Sequence, residues 1–177
     1  FMSDALRKRA QLIMQLRRAV RDTRVLTAME RVPRECFIAS GFADQAYSDQ
    51  ALPIGQAQTI SQPTIVARMT ESLSLTGRES VLEIGTGSGY QAAILSHMAR
   101  RVYSIERIET LSREAQARFA ALKLNNISCR IGDGMKGWPE TAPFERIIVT
   151  AAGSGDPPSA LLDQLAPEGV MIIPLGE

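Results

Sequence analysis

The segment Val81-Leu82-Glu83-Ile84-Gly85-Thr86-Gly87-Ser88-Gly89 constrains this chain most, because an apolar run breaks into three alternate glycines and then into a helical pattern. Val81, Leu82 and Ile84 suit a parallel strand buried on both faces. Glycines directly after such a strand let backbone N–H groups approach a ligand with no Cβ in the way. A helix expected from about Tyr90 to Ala99 would aim its positive end at the same ligand. The spacing is GxGxG, and Tyr90 stands where the third glycine of a dinucleotide fingerprint would fall, which argues against a pyrophosphate.

A second apolar run, Val102-Tyr103-Ser104-Ile105, ends on Glu106. A carboxylate there can accept hydrogen bonds from both hydroxyls of a ribose, so glycine loop and acid together read as a nucleoside site. Three further short runs follow: Ile127 to Ile131, which leads into Gly132-Asp133-Gly134, then Arg146 to Thr150, then Gly169 to Ile173 before Pro174. Helical patterns separate them, over Glu109 to Lys123 and over Ser159 to Leu165 after Pro157-Pro158. Strand alternating with helix predicts an α/β fold, a doubly wound and mostly parallel sheet with helices on both faces. Ligands of such sheets bind beyond the carboxyl ends of the strands, where Gly85 to Gly89, Glu106, Asp133 and Thr150 fall.

With 177 residues, 45% of them hydrophobic, the chain is expected to form a single domain with a substantial core. Its formal net charge of +1 gives no strong pull on nucleic acid or an anionic membrane, so neither is an expected partner. Cys36 and Cys129 match no metal or redox spacing and read as buried, reduced thiols; no metal site is expected. With no apolar run of membrane-spanning length and no secretory signal pattern, a cytoplasmic protein is expected.

From Ser3 as N-cap to Arg24 the pattern is one amphipathic helix carrying seven basic residues, and a short helix runs up to Pro33. Ala46 to Ser61 breaks these periodicities and reads as a long connection of small and amide residues, a length that is usually functional. It ends where Pro63 starts a helix containing Ile65, Val66, Met69 and Leu73. On spacing alone Ser61 is either the cap of that helix or a site residue.

Several segments share a resemblance. Ala28-Met29-Glu30-Arg31-Val32-Pro33-Arg34, Ala46-Tyr47-Ser48-Asp49, Leu52-Pro53-Ile54-Gly55, Gln58-Thr59-Ile60-Ser61-Gln62-Pro63, Val81 to Tyr90 and Gly132-Asp133-Gly134 together resemble the protein-L-isoaspartate O-methyltransferases, from about Val25 to Gly176. The glycine loop is common to many methyltransferases of the Rossmann-like class I that use S-adenosylmethionine; the Thr-Ile-Ser-Gln-Pro segment with Gly-Asp-Gly is more specific. The resemblance implies that Ser61 is the active-site serine and that Gly85, Gly87 and Gly89, with Thr86, hold the methionine part of S-adenosylmethionine. It further implies that Glu83 faces the cofactor's ammonium, that Glu106 with Arg107 takes the ribose, and that Asp133 and Gly134 border the adenine. Thr59, Ile60 and Gln62 would complete the cofactor side, and Pro53 and Ile54 with Ser61 the substrate side.

The implied substrate is the α-carboxylate of an isoaspartyl residue in a peptide or damaged protein, and the implied assembly is a monomer. Residues 1–60 would form N-terminal helices and a substrate-side loop, and residues 61–177 the cofactor core. Relative to the resemblance the chain is expected to lack the C-terminal strands, and Ala151-Ala152-Gly153-Ser154-Gly155-Asp156 is expected to form a loose, glycine-rich loop. Two other readings stay open: a methyltransferase for another small molecule or RNA, and a cofactor-binding module without turnover. The sole histidine, His97, has no assigned role, which suits a nucleophile that is already ionised.

Overall fold

The computed structural model describes residues 3–151 and 155–174; most of the glycine-rich loop expected after Ala151 lies outside them. Its centre is a five-stranded sheet built from β3 (Ser80–Ile84), β4 (Arg101–Glu106), β5 (Ile127–Ile131), β6 (Phe144–Val149) and β7 (Leu165–Ile172). The strand order is β5-β4-β3-β6-β7 and every pairing is parallel. All five residues of β3 are buried, which is why its sequence is a near-continuous apolar run and not an alternation.

The two faces of the sheet pack into separate apolar layers. Val81, Val102 and Ile148 point into the larger one, against α4 (Tyr90–Ser96), α5 (Glu109–Ala121) and the N-terminal helices. Leu82, Ile84, Ile105 and Ile147 point into the smaller one, with Phe144 and with Leu161 of α6 (Ser159–Asp163). Glu83 belongs to the first face, and the register sets it beside Ser104 of β4, which in turn stands beside Cys129 of β5. The expected doubly wound sheet is thus the observed one.

Three sequence expectations change. The helix expected from Ser3 to Arg24 is two: α1 (Asp4–Leu16), capped by Ser3, and α2 (Thr23–Arg31), capped by Asp22. The break is held by Glu71, whose Oε1 accepts the N–H groups of both Arg21 and Asp22 at 2.7 Å, offering the backbone a partner outside the helix. The connection from Ala46 to Ser61 contains a hairpin, β1 (Leu52–Gly55) and β2 (Gln58–Ile60), joined through Gln56 and Ala57 at φ of 52° and 55°. Those angles are those of a type I′ turn, normally signalled by Asn-Gly and here made without it. Cys36 is exposed, not buried: it lies in a short 3-10 turn whose Arg34 and Phe37 face inward, and the phase of three residues per turn leaves Cys36 outside. Cys129 is half-buried, and both thiols are free.

Smaller shifts occur at element ends. β7 begins four residues before Gly169 and contains a register irregularity opposite β6, with Glu168 at a φ of 61°. The helix starting at Pro63 is α3 (Pro63–Ser72). No described helix is long and apolar enough to cross a membrane.

Candidate active site

At the carboxyl end of β3 the chain turns back over β4, and the N–H groups of Gly85 and Thr86 both donate to the Ile105 carbonyl, at 2.9 and 3.3 Å. Gly85, Gly87 and Gly89 all take positive φ, of 95°, 54° and 93°. At Gly85 a Cβ would lie 2.7 Å from the Thr150 hydroxyl, and at Gly89 one would lie 2.8 Å from the Phe119 ring, so neither position tolerates a side chain. The two glycines therefore do different work. Gly85 lines the cleft, whereas Gly89 faces α5 and lets α4 start close against it.

Glu106 closes the loop from the neighbouring strand. Its Oε2 accepts the Gly87 N–H at 2.9 Å and its Oε1 the Ile108 N–H at 3.0 Å. The carboxylate is buried in protein yet forms part of the cleft wall, with lone pairs left for hydroxyl donors. The end of β5 is tied to the same place, since Gly132 N–H donates to the Glu106 carbonyl at 3.0 Å. Gly134 packs so closely on Ile84 that a Cβ would overlap its methyl group, and Asp133 is exposed and caps the following turn through the Met135 N–H at 3.0 Å. Both stand near the rim, and neither lines the main cleft. Arg107 is exposed and points at no partner among the described residues.

Glu83 lies beneath the loop and not on its wall. It is fully buried, Ser104 Oγ donates to its Oε1 at 2.5 Å, and its Oε2 has no partner among the described residues. Burial in the apolar layer pushes its pKa up to about 8, with the nearby Glu106 charge adding to the rise, so the group is largely protonated at neutral pH. Ser104 Oγ also lies 2.5 Å from Thr86 Oγ1, and Thr86 does line the cleft. Glu83 thus reaches the cleft through two hydroxyls, which differs from the direct ammonium contact that the resemblance implied.

On the opposite wall stand Thr59, Ile60 and Ser61, delivered by β2. Ser61 does not cap α3: the N-cap position is Gln62, whose side chain does not bond to the first turn of the helix. The capping acceptor is Asp49, whose Oδ1 takes the Thr64 N–H at 2.8 Å and whose Oδ2 takes the Thr64 hydroxyl at 2.6 Å and the Gln62 amide at 3.2 Å. Burial works to raise the Asp49 pKa, but the Thr64 and Gln62 donors and the Arg34 cation outweigh it and hold the carboxyl below its ordinary value. The Ser61 hydroxyl makes no hydrogen bond among the described residues and is left facing the cleft. Pro53 is exposed on the hairpin, and Ile54 sits over Gly87, its Cδ1 3.6 Å from where a Cβ there would be.

Sequence reading missed several cleft residues. Val66, Met69, Tyr90 and Gln91 look like helix core by spacing, yet their upper ends form the floor between the two walls. Thr150 also lines it; its hydroxyl lies 2.6 Å from the Gly85 carbonyl and 3.0 Å from that of Ile84, which pins the first turn of the loop to β6. Unlike those four, Thr150 was placed at the ligand end of the sheet by its position at the carboxyl end of a strand. His97 lies far from this cleft, at the C-terminal cap of α4. Among the described residues no group of three or more His, Cys, Asp and Glu side chains could hold a metal ion.

The cleft therefore offers a glycine-rich backbone turn, a buried carboxylate with spare acceptors, and a serine hydroxyl unengaged among the described residues. This set fits a nucleoside with a charged amino-acid tail on one wall and a small polar acceptor on the other. Comparison with known proteins agrees. A model of the protein-L-isoaspartate(D-aspartate) O-methyltransferase family matches residues 7–177. The chain is 59% identical over 175 residues to a protein-L-isoaspartate O-methyltransferase of Rhodospirillum centenum, covering 99% of this chain and 79% of that one. It is also 59% identical over 168 residues to one of Paramagnetospirillum magneticum, covering 94% and 78%. A solved protein-L-isoaspartate O-methyltransferase superposes with a TM-score of 0.86 at 30% identity, over 94% of this chain and 55% of that chain, just over half its length. A Plasmodium falciparum beta-aspartate methyltransferase in complex with S-adenosyl-L-homocysteine shares the fold, with a TM-score of 0.81 at 24% identity over 94% and 84%. With the glycine turn, Glu106 and Ser61 placed around one cleft, the chain belongs to the protein-L-isoaspartate(D-aspartate) O-methyltransferase family, enzymes that draw on S-adenosylmethionine.

Proposed function

We propose that this cleft transfers a methyl group from S-adenosylmethionine to the α-carboxylate of L-isoaspartyl residues in damaged proteins. The observation that carries the reading is the pair of facing walls: a Glu106-braced glycine turn that suits the cofactor, and a Ser61 hydroxyl opposite it that no group among the described residues engages. When bound, the cofactor supplies an electrophilic methyl on a sulfonium sulfur. Gly85, Thr86 and Gly87 would hold its amino-acid end and Glu106 its ribose, with Asp133 and Gly134 at the adenine rim. Glu83, protonated, would act from beneath by fixing the Ser104 and Thr86 hydroxyls.

A carboxylate nucleophile with an ordinary pKa of about 3.5 is ionised at neutral pH, so the protein has no proton to remove. Its contribution is to orient the nucleophile and exclude water, which in well-aligned systems supplies about 7 to 11 kcal/mol. Ser61 donates a hydrogen bond to one carboxylate oxygen and leaves the other free to attack. The methyl ester carries methoxide, a far better leaving group than the oxide of a carboxylate; the following backbone nitrogen attacks the ester carbonyl, loses its proton and expels methanol, giving a succinimide that hydrolyses in part to normal aspartate. That closure needs no further residue of this chain.

The substrate would be the exposed isoaspartyl segment of a peptide or protein, taken by a monomer beside the hairpin of Pro53 and Ile54. The small net charge of +1 supports a protein and not a nucleic acid as partner. Two free thiols support a reducing, cytoplasmic setting. The direct experiment is labelled methyl transfer to a matched pair of peptides that differ only in an isoaspartyl or aspartyl linkage. Label in the first alone is expected; equal labelling of both, or of neither, overturns the reading.

A further inference from the structure

Arg34 is the largest of the fully buried side chains, and it is a cation. No carboxylate lies within ion-pair distance of it among the described residues, and its Nε and Nη1 have no hydrogen-bond partner there. Nη2 donates to the Ser61 carbonyl at 3.0 Å and to the Gln50 carbonyl at 3.3 Å. The guanidinium lies over the ring of Tyr90, 4.8 Å from its centroid, and Tyr90 is itself a floor residue of the cleft. The groups that face it are the ring and hydroxyl of Tyr90 from α4, and Asp49 and the Tyr47 phenol from the segment before β1. Asp49 is turned toward Thr64 and Gln62; its charge acts on the guanidinium from a distance but forms no ion pair with it among the described residues.

A buried charge with no directly paired counter-ion is costly, and a strut for two carbonyls needs no charge at all. The place where this charge is useful lies on the other side of Ser61, where an anion must be received. We propose that Arg34 is a positioning residue for the reaction: through the Ser61 backbone it supplies the positive potential that draws the substrate's α-carboxylate to the Ser61 hydroxyl. This rests on the isoaspartyl reading of the cleft and adds to it the source of selectivity for the ionised carboxylate. Because the charge is enclosed by protein, its field at the cleft is weakly screened by salt, unlike that of the exposed arginines on α1.

The test uses the protein saturated with S-adenosylhomocysteine and two peptides: an isoaspartyl peptide, and the same peptide with its α-carboxylate replaced by a neutral α-carboxamide. Calorimetry on the unaltered protein is expected to show the carboxylate peptide binding at least about thirtyfold more tightly, a ratio little changed between about 0.05 and 0.5 M salt. Arg34→Met should cut that ratio at least tenfold while leaving S-adenosylhomocysteine affinity within about threefold, and Arg34→Lys should keep most of it. An Arg34→Met protein that weakens both peptides equally, or neither, would make Arg34 a structural strut and end the proposal. So would an Arg34→Lys protein that loses the ratio as fully as Met. If Arg34→Met does not fold, the salt series decides: collapse of the preference at high salt assigns it to exposed charges and overturns the proposal. Failure of the isoaspartyl reading itself would appear earlier, as absence of methyl transfer by the unaltered protein.

Discussion

Glu106 Oε2 holds the N–H of Gly87 at 2.9 Å, so the acid that would bind the ribose is also the brace of the turn that would hold the rest of the cofactor. Glu106→Ala removes both functions at once. S-adenosylhomocysteine binding should weaken by about 1.5 to 3 kcal/mol, the scale of a lost charged acceptor. Isothermal calorimetry reads this directly, and unchanged affinity would take Glu106 out of the site.

Ser61→Ala separates catalysis from folding cleanly, because Asp49 and not Ser61 satisfies the start of α3. A lost helix cap costs about 1 kcal/mol; here the change in unfolding free energy should stay within about 0.5 kcal/mol. Turnover of an isoaspartyl peptide should nevertheless fall at least about tenfold, or about 1.4 kcal/mol of transition-state stabilisation. Ser61→Thr, which keeps the hydroxyl, should retain more activity than Ala. Near-normal turnover in both variants would leave Ser61 without a catalytic role.

Glu83 gives the protein a pH-dependent stability term. Its folded pKa, pushed to about 8, lies above the ordinary carboxylate value, so the native state holds a proton that the unfolded chain releases. The contribution is complete at acidic pH and is lost as pH rises toward and through about 8. Glu83→Gln keeps a hydrogen-bonding partner for Ser104 and cannot ionise. Melting temperatures measured from pH 5 to pH 9 should therefore fall less steeply in the variant, and parallel curves would show that Glu83 is ionised throughout.

His97→Gln should leave kcat/KM within a few-fold. The ring lies at the far end of α4, burial lowers its pKa with help from the Arg31 charge, and the nucleophile needs no base. The same lowering means that His97 favours the folded state above its ordinary pKa of about 6.5 and disfavours it as pH falls. A hundredfold loss of activity in folded His97→Gln protein would show that a proton must be removed after all.

How far the sequence could be read depended on the range of the interactions involved. The strands around Val81, Val102 and Ile147 and the turn at Gly85 declare themselves because apolar runs and glycines are local signals. Glu106 was legible because its role follows from the end of a strand. The hairpin was not, since its turn places Gln56 and Ala57 at positive φ without the usual Asn or Gly. The true cap of α3 was hidden too: Asp49 reaches Thr64 across fifteen residues, and no spacing rule connects them. Arg34 was invisible for a plainer reason, that arginine is ordinarily a surface residue and only the packing of Tyr90 and Phe37 around it shows otherwise.

The hairpin is anchored at its two ends by Leu52 and Ile60, both almost fully buried, while Pro53 and Thr59 between them are exposed. Between those ends Ile54 approaches the glycine turn, above Gly87. Substitutions at the exposed pair would therefore alter the outer face of the hairpin while leaving its buried anchors in place. The hairpin is a faceplate, pinned at its edges and open to change on its outer surface, with the glycine turn standing behind it.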